Sequence, residues 1–208
     1  MANHSVLYQD CFIIMQINNP QMERMWADVY KPIVDKIEYY DSKLNGTIKL
    51  TPRRLPTHGD GTITFKQIVN YLKGSRIIIA DLTNERPNCY FEAGYVMGLG
   101  EERTKGLILC CQDDHNPYNL KYLRRVSWFS RLFGLHFHKR PFVHFDVINF
   151  DFAWWDPDNL EPFKEELKDK ITQRLKKTEN TAPNMEQGAT TILLSNINPH
   201  NTRGDTKQ

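Results

Sequence analysis

The sequence contains 208 residues, of which 40% are hydrophobic and 25% are charged, and its formal net charge is +2 at pH 7. This length is enough for one domain with a substantial core, and the small net charge gives no indication of a polyanionic partner. The longest apolar runs, at residues 11–15 and 106–111, are too short to cross a bilayer. Residues 1–10 contain no secretory signal pattern, so we expect a cytoplasmic protein.

The apolar patterns predict strands and helices in alternation. Residues 11–17 are typical of a buried strand, and Asn19 and Pro20 follow it as a helix cap and a first helical residue. Apolar side chains at a spacing of three and four extend this helix to Ile37, and Pro32 should bend it. The later predicted elements are a strand at 47–55, a turn at 58–61, a helix from residue 62, a strand at 76–83, a helix within 88–100, strands at 106–111 and 142–150, and a helix at about 158–176.

This alternation predicts an α/β domain with right-handed crossovers and a doubly wound parallel sheet of about five strands. We expect a single domain over residues 1–177 and a disordered tail over residues 178–208. Four cysteines lie in the apolar elements without a C-x-x-C pair, which favours reduced core cysteines. Ligands of such sheets bind beyond the carboxyl ends of the strands, so the loops at 15–21, 80–88 and 111–119 are the places to look for a site.

One carboxylate, Glu92, stands alone in the apolar helix at residues 88–100. No basic residue lies three or four positions away from it, and Pro87 at the first helical position puts it too late for a capping box. Gly94 and Gly98 suggest that this helix packs closely against the sheet or another helix. A carboxylate in such surroundings should have a raised pKa. The residues alone leave three interpretations, namely a functional group, a buried structural carboxylate and an exposed cap.

Residues 11–15 and 59–100 resemble the TIR-like and nucleoside 2-deoxyribosyltransferase-like superfamily. The most specific part is 76–100, in which a strand ending in Asp-Leu-Thr precedes an Asn-Pro-Asn-type turn and a helix with a Tyr-Glu-Leu-Gly motif; here the motif appears as Phe-Glu-Ala-Gly. The resemblance, over about residues 11–120, implies a flavodoxin-like fold. It also implies cleavage of the N-glycosidic bond of a nucleoside, nucleotide or NAD, with Glu92 as the catalytic residue.

The resemblance is incomplete at three places. Arg86 stands where the deoxyribosyltransferases carry an acidic residue that holds the substrate, which favours a hydrolase or a TIR-like nucleotide binder over a transferase. Gln16 and Ile17 replace the usual Pro-Phe after the first strand, and Ala93 replaces the leucine that follows the glutamate. The alternatives are therefore a non-catalytic nucleotide-sensing module and a nucleoside 2-deoxyribosyltransferase.

Five further residues are candidates for substrate binding. Asp81 ends a strand and could reach a ribose hydroxyl, or it could order its own turn. Asp60 could contact substrate or serve as a cap. Thr83, Arg86 and Asn88 belong to a helix-entry loop that could hold a phosphate, with a solvated arginine as the alternative. A purine leaving group would also need an acid, for which Asp60, Asp81 and the pair at 113–114 are candidates.

The segment at 124–142 has five basic residues, five aromatic residues and no acidic residue. We favour a lid or a homo-oligomer contact for it over plain packing, and we expect neither nucleic acid nor membrane as a partner. His136, His138 and His144 suggest a metal site, but no Cys or Glu at ligand spacing supports one. We therefore expect no metal and no cofactor, a small nucleotide or nucleoside as ligand, and a role in defence or signalling by analogy with the TIR-like branch.

Overall fold

The computed structural model describes residues 10–41, 45–55, 65–116 and 150–180, with side chains up to residue 177. The strands within these ranges are β1 (Asp10–Ile14), β2 (Glu38–Asp41), β3 (Gly46–Lys49), β4 (Thr51–Arg53), β5 (Ile77–Asp81), β6 (Leu107–Gln112) and β7 (Phe152–Trp155). The α-helices are α1 (Pro20–Met25), α2 (Lys31–Val34), α3 (Phe65–Gly74), α4 (Pro87–Gly98), α5 (Glu101–Thr104) and α6 (Glu161–Asn180). A π-helical segment (Trp26–Tyr30) joins α1 to α2, and 3₁₀ turns lie at Thr83–Glu85 and Asp113–His115.

The main sheet has five strands in the order β4-β1-β5-β6-β7, and every neighbouring pair is parallel. This confirms the predicted doubly wound α/β fold, which is flavodoxin-like. The chain passes from β1 to β4 on one side and then crosses to β5 on the other side of β1. The strand order therefore reverses between β1 and β5, which is the topological switch point where sheets of this class bind ligands.

The two faces of the sheet each bury an apolar core. Because side chains alternate along a strand, Cys11 and Ile13 of β1 point into the core that contains Tyr30 and α6. Their neighbours Phe12 and Ile14 point into the opposite core, with α3 and α4. The strands are consequently buried on both faces, as expected for a parallel sheet between two helical layers. On α6, the predicted apolar face is confirmed by the buried side chains Phe163, Leu167, Ile171 and Leu175.

The helix after β1 begins as the sequence predicts. The side-chain oxygen of Asn19 accepts hydrogen bonds from the backbone N–H groups of Gln21 (3.0 Å) and Met22 (3.1 Å), and Pro20 is the first helical residue. The π-helical segment lies directly before Pro32, which has no N–H to continue the α-helical pattern. π-helical turns are rare, and many occur at functional sites.

Several predicted boundaries are wrong. The strand predicted at 47–55 is two strands, because β3 pairs antiparallel with the unpredicted β2 and only β4 joins β1. Pro52 is tolerated in β4 because that strand lies at the edge of the sheet. The helix α6 runs to Asn180, into the predicted tail, since no Gly or Pro interrupts residues 161–180 after its first turn.

The last described strand of the sheet, β7, was not predicted. The predicted strand at 142–150 lies outside the described residues except for Phe150, which belongs to no strand and is 43% exposed. The turn at 58–61, the segment at 124–142 and the tail beyond residue 180 also lie outside the described residues.

All four cysteines of the sequence are described, and each is a buried free thiol. The predicted reduced core cysteines are therefore confirmed. Burial raises the pKa of each thiol, to about 12 for Cys89, which keeps it protonated at neutral pH. Within the part of the chain that the structure describes, no helix combines the length and the apolar character needed to cross a membrane.

Candidate functional site

A cavity of about 570 Å³ opens at the carboxyl end of β1, at the switch point of the sheet. Its walls come from three segments that are distant in sequence, namely β1 with the loop after it, the residues after β4, and the beginning of α4. The lining residues are Phe12, Ile13, Ile14, Met15, Gln16, Ile17, Asn18, Arg54, Leu55, Arg86, Pro87, Asn88, Cys89 and Glu92. This volume lies in the ordinary range for pockets that bind small molecules.

Glu92 lies in the second turn of α4 and lines this cavity. Its side chain is partly buried, and no described residue forms an ion pair or a hydrogen bond with its carboxylate. Burial raises the pKa of Glu92 from 4.5 to about 7. The shift has the predicted direction, and its cause is the loss of hydration without a compensating positive charge.

The packing predicted around Glu92 is only partly correct. Ala93 and Val96 are buried against the sheet, but Phe91 is 59% exposed. The close packing predicted from Gly94, Gly98 and Ala93 is found at Ala93, but a Cβ atom added at either glycine would meet no atom of the described residues within 4 Å. The helix α4 thus buries one narrow face, and Glu92 lies at the border between that face and the cavity.

The loop that leads into α4 has an unusual backbone. Asn84 (φ 67°) and Glu85 (φ 49°) adopt positive φ values, and so does Asn18 (φ 60°) in the loop after β1. Such values cost free energy in residues other than glycine, least so for asparagine, and they cluster at functional sites. The two loops are tied together because the side-chain amide of Asn84 donates to the Oε1 atom of Gln16 at 3.1 Å. Gln16 and Asn18 both line the cavity.

Asp81 is fully buried behind the cavity and does not line it. Its Oδ1 atom accepts the backbone N–H of Thr83 at 2.9 Å, and its Oδ2 atom accepts the hydroxyl of Tyr30 at 2.6 Å and the indole N–H of Trp155 at 3.2 Å. Burial raises the pKa of Asp81, and these hydrogen bonds act in the opposite direction. Of the two interpretations of Asp81, the geometry therefore agrees with the one in which Asp81 orders its own turn, and not with the one in which it contacts a ribose.

Only some of the other predicted site residues line the cavity. Arg86 and Asn88 line the cavity together with Glu92, as the sequence predicts. Thr83 does not line it, because its buried hydroxyl accepts the backbone N–H of Gln112 at 2.9 Å and so fixes the end of β6. Asp60 lies outside the described residues. Neither residue of the acidic pair at 113–114 lines the cavity, and Asp114 bonds His115 at 2.6 Å.

Sequence reasoning missed three cavity residues that carry polar side chains, namely Gln16, Asn18 and Arg54. Arg54 follows the end of β4, so it obeys the rule that ligands meet the carboxyl ends of parallel strands. That signal was present in the sequence. It was hidden because the predicted strand at 47–55 merged β3 with β4 and placed Arg54 inside a strand.

Within the described ranges, no group of three or more His, Cys, Asp or Glu side chains could hold a metal ion. His136, His138 and His144 lie outside those ranges. The charged side chains that line the cavity among the described residues are Arg54, Arg86 and Glu92. Two guanidinium groups and one carboxylate of raised pKa make this cavity suited to a ligand with anionic groups.

The sheet order and the position of the cavity define an α/β protein of the flavodoxin-like class with a small-molecule cleft at the switch point. Neither a scan against protein-family models nor a search of curated proteins finds a match to this chain.

Proposed function

We propose that this protein cleaves the N-glycosidic bond of a nucleotide, nucleoside or NAD, with Glu92 as the catalytic carboxylate. One observation carries the proposal: Glu92 lines the switch-point cavity, and no described residue pairs with its carboxylate. A buried carboxylate without a partner reduces stability, so its presence in a cavity favours a functional role.

The chemistry follows from the transition state of the reaction. As the bond from C1′ to the base nitrogen breaks, the ribose acquires positive charge of the oxocarbenium type, as in glycoside hydrolysis. The Glu92 carboxylate can stabilise this charge, or it can attack C1′ and form a ribosyl-enzyme that water then hydrolyses. Both roles need the ionised form, and both gain from the low hydration that raises the Glu92 pKa to about 7.

The lining also bears on the leaving group. Glu92 is the one carboxylic acid that lines the cavity among the described residues. A neutral purine must be protonated as it leaves, which requires a second acid, whereas nicotinamide leaves from a ring that is already cationic. This supports NAD and NADP as the first substrates to test, ahead of purine nucleosides.

The test is mass spectrometry of the purified full-length protein after incubation with NAD, NADP, ribonucleoside and deoxyribonucleoside monophosphates, and free nucleosides. We expect wild type to release a free base from at least one of them and Glu92→Gln to lower that rate by about a hundredfold or more. The matched control is Glu101→Gln, because Glu101 is exposed at the start of α5 and does not line the cavity.

The other outcomes have distinct meanings. Equal rates for wild type and Glu92→Gln would refute the catalytic role of Glu92. Binding of a nucleotide by both proteins, with base release by neither, would favour the nucleotide-sensing module. Faster loss of substrate on addition of a free base would restore the deoxyribosyltransferase interpretation.

A further inference from the structure

Arg54 is held in the cavity wall by two contacts on one side of its guanidinium group. Its Nη2 atom lies 2.7 Å from the Oε2 atom of Glu23, and its Cζ atom lies 4.6 Å from the centre of the Trp26 ring. The Arg54 side chain is only 15% exposed. A guanidinium group so fixed has lost most of its conformational freedom before any ligand arrives, which favours tight binding of that ligand.

The pairing of Arg54 with Glu23 is incomplete. The Nη1 atom of Arg54 and the Oε1 atom of Glu23 are both buried, and neither has a hydrogen-bond partner within the described part of the chain. A bidentate arginine–carboxylate pair would use both atoms. The single contact through Nη2 therefore leaves part of the Arg54 guanidinium group unpaired among the described residues.

The second guanidinium group of the cavity comes from a different part of the chain. Arg86 is exposed immediately before α4, whereas Arg54 follows β4 on the other side of β1. Both line the same cavity as Glu92. Because guanidinium groups match the geometry of phosphate oxygens, this lining favours a phosphorylated ligand over a neutral one.

We infer that Arg54, together with Arg86, binds a phosphate group of the ligand, so that the cavity takes nucleoside phosphates in preference to nucleosides. This inference rests on the proposed function only in taking the cavity as the nucleotide site. It assigns to Arg54 the choice between phosphorylated and unphosphorylated ligands and leaves the bond cleavage to Glu92.

The test measures binding by isothermal titration calorimetry in the Glu92→Gln background, where turnover does not disturb the titration. Each nucleoside 5′-monophosphate of the common bases is compared with its parent nucleoside, and inorganic phosphate is added as a competitor. We expect at least one monophosphate to bind about 10–100-fold more tightly than its nucleoside. Adding Arg54→Gln should lower this ratio by about tenfold, with Arg86 still present, while the Kd of the nucleoside stays unchanged.

The matched control is Arg53→Gln. Arg53 is the preceding residue, is 48% exposed, pairs with Asp10 and does not line the cavity, so its loss should leave the ratio unchanged. If Arg54→Gln does not fold, Arg86→Gln provides the second test. That variant keeps Arg54 and its contacts but removes the other guanidinium group of the cavity, so the ratio should also fall.

The inference would be overturned if the parent protein bound monophosphates and nucleosides with nearly equal affinity. It would also be overturned if Arg54→Gln left the ratio of these affinities the same as in the parent protein. An equal ratio after Arg86→Gln would also count against it. Its failure is distinguishable from failure of the proposed function. If base release depends on neither the phosphate nor Arg54, the N-glycosidase proposal remains and the phosphate inference fails. If binding depends on Arg54 but no base is released, the phosphate inference remains and the N-glycosidase proposal fails.

Discussion

Glu92 owes its properties to its neighbours on α4. It lies one residue before the buried Ala93 and four before the buried Val96, so the helix carries it to the edge of the apolar face. The positions one turn away, Asn88 and Val96, bring no positive charge. The result is a carboxylate whose pKa is raised to about 7 by burial.

This pKa predicts a dependence of stability on pH. The pKa of Glu92 in the folded protein is above its ordinary value of 4.5, so between these values the folded state binds more protons than the unfolded state. The contribution of Glu92 to the free energy of unfolding should therefore fall as the pH rises from about 4.5 to about 7. We expect a loss of about 1–3 kcal/mol, since the side chain is only partly buried.

The measurement is urea denaturation of wild type and Glu92→Gln at pH 5 and at pH 8. From pH 5 to pH 8, the free energy of unfolding of Glu92→Gln should rise relative to that of wild type, because glutamine does not ionise. Glu101→Gln is the control, and its difference from wild type should change little between the two pH values. A difference between Glu92→Gln and wild type that is the same at both pH values would contradict the raised pKa.

At the scale of single elements, α4 carries both Glu92 and a glycine that is unfavourable in a helix. Gly94 lies in the middle of this helix and is exposed, and a Cβ atom added there would meet no described residue within 4 Å. Glycine in a helix interior is less favourable than alanine because it loses more backbone freedom on folding. Packing against the described residues therefore does not require this glycine.

We predict that Gly94→Ala raises the free energy of unfolding by about 0.5–1 kcal/mol. The contrasting substitution is Gly106→Ala, because a Cβ atom at Gly106 would lie 2.8 Å from the backbone oxygen of Arg76. That contact should lower stability by about 1–3 kcal/mol. Thermal denaturation of both variants tests the pair, and a destabilised Gly94→Ala would mean that another part of the chain packs against α4.

The π-helical segment links one helix to two parts of the site. Its first residue, Trp26, stacks against Arg54 of the cavity wall, and its last residue, Tyr30, donates a hydrogen bond to Asp81. An α-helical turn would present these two side chains at a different relative angle, since a π-turn contains more residues. The local geometry before Pro32 is therefore coupled to the positions of both groups.

At the scale of the whole molecule, the Asp81 carboxylate joins three elements of the fold that are distant in sequence. It lies at the end of β5, its partner Tyr30 belongs to the helix after β1, and Trp155 ends β7. Through the backbone of Thr83 it also fixes the turn that leads to α4. This buried network holds the cavity loops in place although it contributes no cavity wall.

Tyr30→Phe should therefore lower the free energy of unfolding by about 1–3 kcal/mol, because it removes a buried hydrogen bond to a carboxylate. The control is Tyr40→Phe, whose hydroxyl bonds Asn45 on an exposed hairpin and whose loss should cost about 0.5 kcal/mol or less. Urea denaturation at pH 7 compares the two. Equal costs would show that the Asp81 network adds nothing to the stability of the sheet.

The sequence by itself determined the alternation of strands and helices, the capped start of the helix at Asn19 and the isolation of Glu92 in an apolar helix. These features depend on neighbours within a few positions, which side-chain periodicity and capping chemistry report directly. The parallel direction of the strands followed from that alternation, because a helix between two strands returns the chain to the same end of the sheet.

Only the tertiary structure decided which polar residues meet. Arg54 and Glu92 share a cavity because β4 and β5 lie on either side of β1, while Asp81 is withdrawn from it by the distant Tyr30 and Trp155. Contacts between residues that are distant in sequence leave no periodic trace in the chain. The sequence therefore indicated the catalytic candidate, and the folding of the sheet selected the groups that surround it.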